Sequence, residues 1–148
     1  MFRLRPSRAE DAARLIEIWR KAVDATHHFL SRADRIAIEQ EVSAFLPRVE
    51  LTLAADAEDR PIGFMFLHEG HMEALFIDPD HHGKGVGKAL VRCALQLHPR
   101  LTTDVNEQNA QATAFYERIG FERIGRSALD GQGRPYPLIH LRFRPAKS

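Results

Sequence analysis

Hydrophobic positions follow a helical period near the start of the chain and a strand period further along. A short alternating segment, 2–5, predicts a strand, and a stripe with helical spacing follows it. The stripe consists of Leu15, Ile16, Ile18, Trp19 and Val23. Ser7 and Glu10 have the spacing of a capping box, so Ser7 is predicted to start the first helix. A second helix is predicted over 33–46 and ends at Pro47.

The rest of the pattern predicts a sheet with two more helices. Strand-like runs occupy 49–55, 62–68, 71–78, 101–105, 121–129 and 137–144, and helical runs occupy 86–97 and 110–118. Asn109 is suited to cap the last helix, and Gly120 to end it. The predicted order is βααβββαβαββ. The strand, helix and strand over 71–105 imply one right-handed parallel crossover, so the fold class is α/β with helices on both faces of a mixed sheet.

Composition narrows the possible partners and compartment. The chain has 148 residues, 44% hydrophobic and 28% charged, which fits one domain over 1–148. Its 21 basic and 20 acidic residues leave a net charge of +1, so no nucleic-acid or membrane partner is predicted. Cys93 is the single cysteine, which excludes an internal disulfide and fits a reducing compartment. Without a signal-like or membrane-length apolar run, the protein is expected to be cytoplasmic.

A glycine-rich turn between a strand and a helix is the most informative segment. After Asp78-Pro79-Asp80, glycines alternate at Gly83, Gly85 and Gly87, and the apolar helix begins there. Glycines let a ligand approach the main chain, and the first amides of a helix have no internal partners. The turn therefore predicts a site for a phosphate or pyrophosphate, with charge attraction added by nearby lysines.

Two familiar phosphate-binding patterns do not fit this turn. The Walker pattern requires a glycine where His82 stands and a serine or threonine where Ala89 stands. The dinucleotide pattern requires a different glycine spacing and an early strand. A nucleotide-phosphate site is therefore disfavoured.

The turn instead resembles the pyrophosphate loop of the GNAT superfamily of acyl-CoA N-acyltransferases, Arg/Gln-x-x-Gly-x-Gly/Ala. Here it begins at His82, where arginine or glutamine is usual. A second segment, 105–121, is similar to the family pattern Asn-x-x-Ala-x-x-Phe-Tyr followed by Gly-Phe. The matching residues are Asn109, Ala112, Phe115, Tyr116, Gly120 and Phe121. The likeness covers the whole chain, and a closer likeness to bacterial YjaB-type acetyltransferases is carried by the stretches 23–27, 72–79, 102–109 and 135–138.

The resemblance implies a GNAT fold with a mixed, mostly antiparallel sheet, and acetyl-CoA as co-substrate. In the family the acyl-CoA lies between two parallel strands, here 71–78 and 101–105, and pairs with the backbone of the first. The implied cofactor contacts are Leu75, Phe76, Ile77, His82, Gly83, Lys84, Gly85, Val86, Gly87, Lys88, Asn109 and Tyr116. The reaction implied is direct acetyl transfer to a primary amine in a ternary complex. Monomer and homodimer both stay open.

Acetyl transfer requires a neutral amine, stabilisation of an oxyanion and a proton for the leaving thiolate. The resemblance assigns the proton donor to Tyr116, although a core tyrosine would give the same pattern. Glu73 is the first candidate for the base and His71 the second, because both point to one face of the cofactor strand. Both also fit ordinary polar residues on a strand that faces water.

The family builds its acceptor site from the first two helices, their loop and the last strands. The candidates here are Asp24, His28, Phe29 and Tyr136, while Trp19 is predicted to lie in the core. The acceptor is a protein or peptide lysine or a small amine. No metal is expected, because the paired histidines have poor ligand spacing and no Cys/His quartet exists. A non-catalytic domain that binds or senses acyl-CoA is the alternative function.

Overall fold

The structure is a computed structural model that describes residues 1–145. Its helices and strands follow the predicted order βααβββαβαββ. The strands are β1 (Arg3–Pro6), β2 (Thr52–Ala55), β3 (Pro61–His68), β4 (His71–Ile77), β5 (Thr102–Asn106), β6 (Phe121–Ser127) and β7 (Leu138–Phe143). The helices are α1 (Ala12–Thr26), α2 (Arg32–Phe45), α3 (Val86–Leu97) and α4 (Ala110–Ile119). No helix within residues 1–145 has the length and hydropathy needed to cross a bilayer.

The chain divides into two compact units. The first contains Met1–Phe66 and Ala74–Val91, and the second contains Leu67–Glu73 and residues 92–145. The first three residues of β4 therefore belong to the second unit and its last four to the first. Each unit is described in turn.

The first unit has the strand order β1-β2-β3-β4, in which β2 pairs antiparallel with β1 and β3. The helical stripe predicted from the sequence supplies much of its core. Leu15, Ile18 and Trp19 of α1 are at most 3% exposed, and they pack with buried residues of β2 and β3. Trp19 is thus a core residue, as predicted. Burial of this apolar surface is what holds α1 to the strands.

The second unit has the strand order β4-β5-β7-β6. The pairing of β4 with β5 is parallel, with His71 beside Thr102 and Met72 beside Thr103. The pairing of β7 with β5 and β6 is antiparallel. Aromatic rings follow one another in edge-to-face contact from Tyr116 in α4 to Phe121 and Phe143, and these contacts fix α4 on the strands.

The predicted capping box at Ser7 is wrong. α1 begins at Ala12 after a short 3-10 turn, Ala9–Asp11. The Ser7 hydroxyl accepts a hydrogen bond from the Leu51 amide at 2.9 Å, and the Ser7 amide donates to the Leu51 carbonyl at 2.8 Å. Asp11 makes the reciprocal contact that was predicted for Glu10, one residue further along, because its carboxylate accepts the Arg8 amide at 2.7 Å. A contact with a strand far along the chain has overridden the local pattern.

Candidate active site

The glycine turn presents an open concave backbone at the start of α3. Gly83 and Gly85 have φ angles of +77° and +79°, and a Cβ built on either would meet nothing within 4 Å. Residues with a Cβ rarely adopt this left-handed backbone conformation, which explains why glycine occupies both positions. The Ala89 amide donates to the Gly85 carbonyl at 3.0 Å, so the amides of Val86, Gly87 and Lys88 precede the first helical hydrogen bond. The turn can therefore offer amide donors and the positive end of a helix to an anion.

Asp78 anchors the beginning of this turn. Its carboxylate is 2% exposed and pairs with Arg14 at 2.6 Å and with Lys21 at 2.8 Å. It also accepts the Asp80 amide at 3.0 Å, which caps the short turn Pro79–His81. Burial alone would raise the pKa of Asp78, but the hydrogen bonds from Lys21, the Asp80 amide and Arg14 hold it well below its usual range. The carboxylate is therefore a fixed negative anchor that joins α1 to the strand end before the glycine turn.

The last residues of β4 lie against a glycine of β3. A Cβ on Gly63 would meet Ile77 Cδ1 at 2.8 Å, Val86 Cγ1 at 3.0 Å and the Phe76 carbonyl oxygen at 3.3 Å. Any larger residue would push on the strand and on the start of α3 together. Gly63 thus sets the position of Leu75–Ile77, the predicted cofactor strand, relative to the glycine turn.

Tyr116 is buried in the second unit, with 6% of its surface exposed. Its phenol shares a hydrogen bond with Thr103, and the Thr103 hydroxyl donates to the Met72 carbonyl at 2.9 Å. Because a hydroxyl has one proton, the neutral phenol is the donor to Thr103. Burial raises the pKa of Tyr116 well above its usual range. The phenol is therefore held protonated at neutral pH, as a proton donor requires.

Asn109 caps α4 as the sequence predicts. Its side-chain oxygen accepts the Ala112 amide at 3.1 Å, and its own amide donates to the Asn106 carbonyl at 2.9 Å. At the other end of α4, Gly120 has a φ angle of +124° and its amide donates to the carbonyls of Tyr116 and Glu117. The helix that holds Tyr116 is thus defined at both ends by residues of the sequence motif.

The two candidate bases on β4 have different surroundings. Glu73 is exposed. His71 is 24% exposed, and both of its ring nitrogens are engaged. Nδ1 lies 2.7 Å from the Thr102 hydroxyl, and Nε2 lies 3.3 Å from Asp104 Oδ2. An ionised carboxylate can only accept, so the Nε2 that faces Asp104 carries the proton.

Asp104 also binds a second histidine. Asp104 Oδ1 lies 2.6 Å from His140 Nδ1, and His140 Nε2 lies 2.6 Å from the Ser127 hydroxyl. Asp104, His140 and Ser127 therefore form a chain of hydrogen bonds over β5, β7 and β6, and His71 of β4 lies within ion-pair distance of Asp104. The sequence analysis did not find this chain, because its members meet only once the strand register is known.

The acceptor candidate Asp24 is already paired in the first unit. Its carboxylate accepts Arg35 at 2.8 Å, and the Arg35 guanidinium lies 4.8 Å from the centre of the Trp19 ring. Arg35 also bonds Glu39 at 2.8 Å. These contacts give Asp24 a structural role between α1 and α2.

The loop between α1 and α2 holds two further acceptor candidates. His28 is exposed, and its Nε2 lies 3.0 Å from the Ala25 carbonyl. The rings of Phe29 and His27 lie 5.1 Å apart. Burial, and to a smaller extent the neighbouring His28, lowers the pKa of His27 to about 4. His27 is therefore neutral at physiological pH and is held by the Thr26 hydroxyl at 2.6 Å.

The last acceptor candidate, Tyr136, lies in the second unit and is 7% exposed. Its amide donates to the Arg134 carbonyl at 2.8 Å, and the Pro137 carbonyl beside it accepts the Glu107 amide at 2.9 Å. Within residues 1–145, no cluster of three or more histidine, cysteine, aspartate or glutamate side chains could hold a metal ion.

The sequence analysis did not identify two residues of the first unit that shape the site, Asp78 and Gly63, although the sequence contains a signal for each. Asp78 follows a strand and precedes a proline, which is a pattern of a capping aspartate. Gly63 interrupts an apolar strand, and such a glycine often marks a close approach of another backbone.

Comparison with known proteins identifies a family over most of the chain. Residues 17–133 match the model of the acetyltransferase (GNAT) domain. The chain is 55% identical to the peptidyl-lysine N-acetyltransferase YjaB of Salmonella typhimurium, over 95% of this chain and 97% of that protein. It is 51% identical to the Escherichia coli protein of the same name, over 95% of each.

A solved structure confirms the fold. The solution structure of the apo form of YjaB from Escherichia coli matches with a TM-score of 0.94 and 49% sequence identity. The match covers 99% of each chain. The fold and the resemblance expected from the two sequence motifs are both confirmed.

Proposed function

Because the chain belongs to the GNAT family of acetyltransferases, we propose that it transfers the acetyl group of acetyl-CoA to the side-chain amine of a peptidyl lysine. The choice of lysine rests on the relatives named peptidyl-lysine N-acetyltransferase, which are 55% and 51% identical over 95% of the chain. The main structural support for acetyl-CoA as the co-substrate is the open glycine turn at the start of α3.

The glycine turn has the chemistry that a pyrophosphate requires. The amides of Val86, Gly87 and Lys88 and the unobstructed Cα positions of Gly83 and Gly85 form a cradle that a Cβ would fill. Lys84 and Lys88 are exposed and add positive charge. His82 is also exposed and replaces the usual arginine or glutamine, so the backbone supplies most of the binding. In our proposal the pantetheine arm pairs with the backbone of Leu75–Ile77.

Tyr116 supplies the proton for the leaving thiolate in this proposal. The neutral amine nitrogen attacks the thioester carbon, the C–S bond breaks, and the sulfur takes the phenolic proton. The proton that the nitrogen loses on forming the amide passes through solvent to the tyrosinate and restores the phenol. Like any tyrosine, Tyr116 carries its proton at neutral pH and can act as a donor, but burial raises its pKa and makes it a weaker acid, so the assignment rests on the sequence motif and not on the pKa. The transfer is direct, so initial rates measured against both substrates should give intersecting double-reciprocal lines, and parallel lines would refute a ternary complex.

Glu73 is the better candidate for the base that takes the proton from the lysine ammonium. It is exposed, whereas both ring nitrogens of His71 are engaged by Thr102 and Asp104. We therefore assign proton acceptance to Glu73, directly or through water, and a positioning role to His71. Glu73→Gln should lower the rate at neutral pH, and His71→Gln should lower it less.

The acceptor peptide is proposed to contact His28 and Phe29 of the α1–α2 loop, whereas Tyr136 is 7% exposed and is assigned to the core of the second unit. Asp24 would have to release Arg35 before it could bind a lysine ammonium, so we assign it to the support of the α1–α2 loop. The alternative function is an acyl-CoA sensor without catalysis. A purified protein that binds acetyl-CoA but acetylates neither a panel of lysine peptides nor small amines would favour the sensor.

A further inference from the structure

The hydrogen-bonded chain in the second unit contains a complete Ser-His-Asp arrangement. The Ser127 hydroxyl lies 2.6 Å from His140 Nε2, and His140 Nδ1 lies 2.6 Å from Asp104 Oδ1. The serine contacts one ring nitrogen and the carboxylate contacts the other, as in enzymes that use an activated serine. The acetyl transfer proposed above makes no use of Ser127 or His140.

The strand register explains how three adjacent strands bring these side chains together. Asp104 of β5 lies directly beside His140 of β7, and His140 lies beside Gly125 of β6. A Cβ on Gly125 would be 3.4 Å from His140 Cδ2, so the imidazole lies across the glycine. This position lets the ring reach Ser127, two residues further along the same face of β6.

The hydrogen bonds set the tautomer that activation of a serine requires. Asp104 accepts at Oδ1, so His140 Nδ1 carries the ring proton when the imidazole is neutral. His140 Nε2 then has a free electron pair and accepts the Ser127 hydroxyl proton. His71 Nε2 lies 3.3 Å from the other oxygen of Asp104, so the carboxylate lies between the two imidazole rings.

This arrangement lies on the face of β5 opposite the buried phenol. Thr103 is 2% exposed and contacts Tyr116, whereas the Asp104 side chain is 34% exposed. Neighbouring residues of a strand point to opposite faces. The His140 side chain is 32% exposed, so a small molecule in solution can approach the serine end of the arrangement.

We propose that Ser127 is an acyl-accepting nucleophile that reacts with short-chain acyl esters. The Ser127 oxygen forms a bond with the ester carbonyl carbon while its proton moves to His140 Nε2. The ester C–O bond then breaks, and the alcohol leaves with that proton or as an anion. Water activated by His140 hydrolyses the acyl-serine, which releases the carboxylic acid and restores the hydroxyl.

The expected reaction is slow. The described contacts supply a base and its orienting carboxylate, but they assign no backbone donor to the developing oxyanion, which is usually the larger contribution. Both acylation and deacylation lack this donor, but an activated aryl ester has a far better leaving group than the serine alkoxide. With such an ester the acyl-serine is therefore expected to accumulate and to be detected as a covalent modification. The reaction needs no coenzyme A, so it is tested independently of acetyl transfer to lysine.

The test uses p-nitrophenyl acetate with the full chain, and peptide mass spectrometry locates the acetyl groups. An acetyl ester on Ser127, stable to neutral hydroxylamine and removed by alkaline hydroxylamine, is expected in the wild type. Asp104→Asn keeps the side-chain volume but removes the charge that sets the tautomer, so acetylation of Ser127 should slow at least tenfold. Thr102→Val is the matched control, because it removes a hydroxyl from the same strand that bonds to His71 and not to Asp104 or His140, and Ser127 should still be acetylated.

Two results would overturn the proposal. One is acetylation of Ser127 no faster than that of other serines in the wild type. The other is equal acetylation of Ser127 in the wild type and Asp104→Asn, which would make Ser127 an accessible hydroxyl without activation. Ser127→Ala, checked by circular dichroism, identifies the modified peptide, and the comparison of wild type with Asp104→Asn does not depend on that variant.

Discussion

A matched pair of glycine substitutions tests whether the glycine turn binds the pyrophosphate. Gly85 and Gly133 have φ angles of +79° and +78°, and a Cβ on either would meet nothing within 4 Å. Gly85 precedes α3, whereas Gly133 lies between β6 and β7, where its amide donates to the Asp130 carbonyl at 3.0 Å. Gly85→Ala and Gly133→Ala therefore impose the same backbone strain at places with different proposed functions.

The two substitutions should have the same effect on stability. A left-handed conformation costs a residue other than glycine about 1–2 kcal/mol. For a domain of this size, that cost corresponds to a decrease in melting temperature of roughly 3–6 °C. Differential scanning fluorimetry should show a similar decrease for both variants.

Only Gly85→Ala should weaken the binding of acetyl-CoA. The new methyl group occupies the side from which phosphate oxygens would reach the amides of α3. Loss of one hydrogen bond to a charged group costs about 1.5–3 kcal/mol, or roughly a 10-fold to 100-fold increase in Kd. Calorimetric titration should show this increase for Gly85→Ala and an unchanged Kd for Gly133→Ala. Equal affinities in the two variants would refute the assignment of the turn.

Three further results are expected. Tyr116→Phe should lower kcat at least tenfold with little change in the Kd for acetyl-CoA, and unchanged turnover would remove the acid role. Gly63→Ala should lower the free energy of unfolding in urea by about 1–3 kcal/mol, because its Cβ would lie 2.8 Å from Ile77 Cδ1. An unchanged free energy of unfolding would mean that β4 can shift at little energetic cost. His27 has a pKa of about 4 when folded and about 6.5 when unfolded, so the unfolded state binds the proton first. Stability should therefore fall as pH decreases from about 6.5 to 4, by up to about 3 kcal/mol, and this loss should be smaller in His27→Gln.

Local features of the fold were predictable from the sequence. The order of helices and strands follows from hydrophobic spacing, and Asn109 and Gly120 bound α4 because capping depends on residues within one helical turn. The glycine turn is also local, since its φ angles and its place before α3 are properties of a few adjacent residues.

Contacts between distant residues were not predictable in this way. Ser7 bonds to Leu51 rather than capping α1, because the partner is supplied by another part of the chain. Asp78 pairs with Arg14 across 64 positions of sequence. The contact of Asp104 with both His71 and His140 depends on the register of three strands, which hydrophobic alternation leaves undetermined.

The central claim is transfer of an acetyl group from acetyl-CoA to a lysine side chain. The most direct test incubates the purified protein with isotopically labelled acetyl-CoA and a lysine-containing peptide whose amino terminus is blocked, followed by mass spectrometry. Our account predicts a labelled acetyl group on the lysine side chain, formed in proportion to the enzyme and reduced strongly by Tyr116→Phe. The account would be contradicted if the protein binds acetyl-CoA tightly and every peptide in a panel of different sequences remains unlabelled.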